Sequence, residues 1–131
     1  MPATATKSEV SRLSLWFGLF GGAIAWTIHF MSAYAVAEFG CVGRLGERTY
    51  WNISLVAWLE LAITAAAVLV AAAATAVAYR SQLPLLSSAY NADAAREAER
   101  QTARAGLLTS GVFTFAILFE SIPIFFYLRS C

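Results

Sequence analysis

The sequence predicts an all-α fold: a three-helix transmembrane bundle whose third helix extends into the cytoplasm. Two observations predict it. First, 60% of the 131 residues are hydrophobic and only 13% are charged, and the mean hydropathy is +0.65. Soluble domains run at about 45–50% apolar and about 25% charged. A chain this short has too much surface for its volume to hide such a surplus in a core, so the surplus faces lipid. Second, three runs are each long enough to cross a bilayer, which takes about 20 apolar residues. Lipid cannot satisfy bare backbone groups, so each run must be helical. The net charge of +1 gives no field suited to nucleic acid or an acidic substrate.

The whole chain, 1–131, reads as one integral membrane unit, with spans at about 13–38, 51–79 and 105–128 and an amphipathic cytoplasmic helix at about 91–104. The first run is bracketed by Arg12 and Glu38. It is too long for a signal-peptide core, and only a short polar stretch with Lys7 and Arg12 precedes it. It is therefore expected to be a retained span that also serves as the insertion signal. Gly18, Gly22, Ala25 and His29 fall on one face of it at helical spacing, and Gly18–Gly22 form a GxxxG that lets a neighbouring helix approach closely. The connector "GCVGRLGERTYW" is expected to be tight and to end in an interfacial Tyr50–Trp51 pair.

The second run lies between Arg48 and Arg80, interrupted only by Glu60. It is alanine-rich, with "AAAA" at 71–74, which predicts packing on more than one side. The stretch "SQLPLLSSAYN" is expected to break the helix at Pro84, with Ser87, Ser88 or Asn91 capping the next one. "ADAAREAERQTAR" has high helix propensity and favourable charge pairs such as Glu97 with Arg100. It should run unbroken into the third span, from about Ala92 to Leu128, a rod of roughly 55 Å at 1.5 Å per residue. Arg96, Arg100 and Arg104 lie on one stripe of that helix. They read either as a solvated face beside the lipid headgroups or as a docking surface for a partner subunit or anionic lipid. The third span is interrupted only by Glu120, and Pro123 should kink it there.

Basic residues set the orientation. Lys7, Arg12, Arg80, Arg96, Arg100 and Arg104 outnumber Arg44, Arg48 and Arg129 on the opposite side. This favours a cytoplasmic N-terminus and an external C-terminus in a bacterial inner membrane. The two cysteines, Cys41 and Cys131, then share the oxidising side. A Cys41–Cys131 disulfide would close a loop of about 90 residues, worth roughly 4–5 kcal/mol in the chain-entropy model. Two free thiols or a lipid-anchored Cys41 are the alternatives. No paired-cysteine redox site, haem-attachment pattern, glycine-rich phosphate loop or nucleophile elbow is present, so no catalytic residue, metal ligand or cofactor is assigned.

Three acidic or basic side chains remain inside the apolar runs: His29, Glu60 and Glu120. Each lies nine residues from the outer end of its span, counted from Glu38, Trp51 and Arg129. That is roughly 14 Å deep, near the middle of a core about 30 Å thick. Ionisable groups at that depth are costly and point to function by default. One reading is structural: His29 bonds one glutamate and fixes helix register. A second is a proton relay or a quinone-site wall. A third is ligation of a metal or haem, which a single histidine supports poorly.

The first span "GLFGGAIAWTIHFMSAYAVAEFGC", the early glutamate of the second span, and a proline-bearing third span ending in a cysteine resemble a class of short three-span proteins. These accompany bacterial respiratory complexes, notably terminal oxidases and the quinol-oxidising alternative complex III. The resemblance implies an accessory subunit with no cofactor of its own. Its partners would be lipids and larger membrane subunits of a respiratory or photosynthetic electron-transport complex.

Overall fold

The computed structural model describes residues 11–87 and 94–126. Helix α1 runs Arg12–Val42, α2 Leu55–Ser87 and α3 Ala94–Glu120, and a short 3-10 turn follows at Ile122–Phe126. All three helices are long and apolar enough to cross a membrane. They form one bundle in which every helix touches the other two. Lys7, residues 88–93 (with the expected caps and the expected helix start at Ala92), Leu128, Arg129 and Cys131 lie outside the described residues.

The core is made of small side chains. Gly18, Gly22, Ala25 and His29 of α1 are buried, as are Ala67, Ala71, Ala74 and Ala78 of α2 and Ala103, Gly106, Ser110 and Ile117 of α3. The α2 residues form one stripe, while Ala72, Ala73 and Ala76 are exposed. As expected of packing on more than one side, α2 touches both α1 and α3, but its buried alanines lie along one stripe. Bulky side chains point outward, among them Trp16, Phe20, Ile24, Ile28 and Phe30 of α1 and Leu108, Phe115 and Phe119 of α3.

Three expected boundaries differ. The second helix begins at Leu55, not at residue 51, because Thr49–Tyr50 (β1) and Ile53–Ser54 (β2) pair as a small antiparallel hairpin. Its two turn residues, Trp51 and Asn52, both have positive φ, 52° and 61°, the twist that matches hairpin strands. Asn tolerates that conformation and Trp rarely adopts it. Two contacts hold it: the Trp51 ring packs edge-on against Trp58 at 6.0 Å, and the Trp58 indole donates to the Tyr50 carbonyl. Buried Ser54 then caps α2 by accepting from the Ala57 N–H.

Pro84 does not break α2, which continues through it to Ser87. A proline costs the one backbone bond its missing N–H would make, and the residues before it keep theirs. At the other end, α3 stops at Glu120 and tightens into the 3-10 turn, so the expected rod to Leu128 is shorter. The Ser121 N–H still reaches the Ile117 carbonyl at 3.1 Å. Pro123 falls just beyond, inside the 3-10 segment, where it ends the α-helix rather than kinking it. Residues 94–104 are continuous with α3, as expected.

Candidate functional site

Two layers of the bundle carry side-chain chemistry. The first joins α1 to α3 at the GxxxG. The Ser110 hydroxyl donates to the Gly18 carbonyl at 2.6 Å and accepts from the Gly22 N–H at 3.3 Å. It therefore inserts beside the helical bond that links those two glycines. The approach is close enough that a Cβ on Gly22 would meet Ser110 Cα at 2.6 Å. A Cβ on Gly106 would meet the Gly18 backbone at 3.0 Å, and one on Gly18 would meet Ala78 Cβ at 3.0 Å. Ala25 is buried against Ala67, Ala71 and Ile117. Gly18, Gly22 and Ala25 are thus packing residues. Sequence reading passed over their partners, although Gly106-x-x-x-Ser110 has the same small-residue spacing.

The second layer lies about two turns further along α1. His29 is 3% exposed, and its Nε2 lies 3.0 Å from Thr64 Oγ1. Ser121 Oγ lies 3.3 Å from the same oxygen and 2.6 Å from the Ile117 carbonyl. The Ser121 hydroxyl is the donor in both contacts, its single proton held mainly by the closer carbonyl. Thr64 Oγ1 then either accepts from His29 Nε2 or donates to it. In the first case His29 Nε2 donates and Nδ1 is a bare acceptor; in the second Nδ1 carries the proton. Nδ1 is buried without a partner, so neither tautomer satisfies the ring.

Glu60 sits one turn nearer the hairpin than Thr64 on the same face of α2. It is 7% exposed, and its Oε2 has no hydrogen-bond partner. No hydrogen bond joins it to His29. Glu120 lies elsewhere: it is exposed, and the Trp26 indole donates to its Oε2 at 3.0 Å. The three side chains expected to meet at one level therefore do not bond one another. His29 bonds a threonine, not a glutamate, and Glu120 leaves the close-packed face. The cause is helical phase. Ile117 and Ser121 occupy the inward positions of α3, and Glu120, three residues from Ile117, falls at the edge of that face. Trp26 marks the edge, stacked on Phe30 at 5.9 Å and tilted against Phe113 at 5.3 Å.

At the other end of α3, Arg96 and Arg100 are half-buried and Arg104 is exposed. Arg100 lies 3.9 Å from Glu97, and its Nε is buried without a partner. The stripe is therefore turned partly toward the bundle. Cys41 is exposed in the last turn of α1; its expected partner Cys131 is outside the described residues. Among the described residues no three His, Cys, Asp or Glu side chains gather to hold a metal ion. No protein-family model, curated protein or solved structure matches this chain.

Proposed function

We propose that the chain is a non-catalytic accessory subunit of a bacterial electron-transport membrane complex, packing against larger integral subunits and holding no cofactor of its own. The observation that carries this reading is the division of side chains by size. Glycine, alanine and serine fill the bundle, while tryptophan and phenylalanine cover its outer faces. Large exposed apolar faces on a small bundle suit burial by lipid and by neighbouring helices. The resemblance to three-span proteins of terminal oxidases and alternative complex III supplies the electron-transport half of the proposal.

In the proposed setting, the inner membrane, the N-terminus and residues 94–104 of α3 are cytoplasmic and the C-terminus is external. A Cys41–Cys131 disulfide then clasps the outer ends of the first and third spans. Solubilisation of native membranes in mild detergent, followed by blue-native electrophoresis, tests the reading. The chain is expected to migrate with a complex containing quinol-oxidising or terminal-oxidase subunits. Migration as a small homo-oligomer alone would contradict it.

A second reading has an observation in its favour. His29, Thr64 and Ser121 form a short line of exchangeable protons, with two unmet polar atoms, His29 Nδ1 and Glu60 Oε2, in the same half of the bundle. Such a line suits a proton relay or the wall of a quinone site. A His29→Ala complex that turns over quinol at the wild-type rate would remove this reading.

A further inference from the structure

Glu120 is the one acidic side chain of the third apolar run, and it faces out of the bundle. Its neighbour Ser121 is bonded into the His29–Thr64 layer, which fixes its level well inside the span. Among the described residues a single hydrogen-bond donor reaches it, the Trp26 indole. A carboxylate has about four acceptor positions, and acyl chains supply no donors. Leaving it against lipid costs several kcal/mol.

The surroundings of this carboxylate form a surface. The Trp26 ring stacks on Phe30 and lies tilted against Phe113 across the α1–α3 seam, so the exposed carboxylate adjoins an aromatic patch of half-buried Trp26 and Phe113 and exposed Phe30. Guanidinium and ammonium groups suit both parts, pairing with the carboxylate and lying over the rings.

We propose that the Trp26–Phe30–Phe113–Glu120 patch docks a transmembrane helix of a different protein, one bearing an arginine or lysine at the level of Glu120. A second copy of this chain does not meet the requirement. Its lysine and arginines all flank the apolar runs, and its single histidine is buried and bonded to Thr64. The proposal rests on the accessory-subunit reading and adds the chemistry of the contact.

The test uses the full chain in native membranes, with p-benzoylphenylalanine in place of Phe30, photolysis, and mass spectrometry of the cross-linked peptide. A peptide from a membrane span with a central arginine or lysine is expected. Glu120→Gln keeps an acceptor for Trp26 and should lower recovery of that partner about tenfold, roughly 1.4 kcal/mol. Glu120→Lys should abolish it, and replacing the partner's cation with glutamate should restore it. Circular dichroism of both variants checks that the helices persist. Cross-links only to lipid, quinone, a second copy or a span without a basic residue would overturn the proposal. So would full recovery of the partner by Glu120→Gln. In these cases a larger complex still co-migrates with the wild-type chain; if none does, the accessory reading itself fails.

Discussion

The two layers of the bundle are held by different physics. At the Gly18–Gly22–Gly106–Ser110 layer, backbones approach until no side chain fits between them, and one hydroxyl ties the helices together. At the His29–Thr64–Ser121 layer the contacts are polar side chains with unmet atoms beside them, and a carboxylate faces outward. The first layer is complete within the chain. The second leaves bonding capacity unused on its inner and outer sides. In a bilayer, where the hydrophobic effect does not drive helices together, close packing supplies the attraction and polar contacts add modestly to it. Stability is therefore assigned to the glycine layer, and the proposed contact with a partner to the polar one.

Substitutions in each layer can break this contrast. The largest effect is expected for Gly22→Leu, whose Cβ alone would lie 2.6 Å from the Ser110 backbone. It should cost more than about 3 kcal/mol, the upper end for overpacking, seen as loss of the folded bundle on titration from mild detergent into dodecyl sulfate. Glu60→Leu goes the other way. It replaces a buried carboxyl with an unmet oxygen by an apolar side chain of similar size, and should raise the unfolding free energy by about 1–3 kcal/mol. A loss of that size would mean Glu60 has a stabilising partner. Ser110→Ala removes the bridge to Gly18 but leaves the close approach, and should cost about 1 kcal/mol in the same titration. Smallest is Thr64→Val, which removes the His29 bond; intramembrane bonds of this kind average about 0.6 kcal/mol. A double-mutant cycle with His29→Ala reads that coupling directly.

The helices, their number and the glycine face were legible in the sequence because hydropathy and small-residue spacing are local signals. Depth was less so: of the nine residues counted to Glu60, residues 51–54 lie in the hairpin, and α3 ends at Glu120, where the count to Arg129 begins. What each polar residue touches was not legible. A level leaves the rotation of every helix open, and α3 turned so that Ser121 entered the layer while Glu120 fell outside it. Thr64 and Ser121 look like ordinary small residues of a membrane helix, and only the packed backbones give them roles. The hairpin at Thr49–Ser54 was hidden for a different reason. Tryptophan at a left-handed turn position runs against propensity, and the contact with Trp58 that compensates lies outside the turn.

The most direct measurement of the central claim, that close backbone approach at Gly22 builds the bundle, compares two glycine-to-alanine changes in one detergent titration. Gly111 on α3 has open space around its Cβ position, so Gly111→Ala should stabilise by about 0.5–1 kcal/mol through helix propensity alone. Gly22→Ala makes the same chemical change against the Ser110 backbone and should destabilise. Opposite signs are the predicted result; stabilisation by both would contradict it.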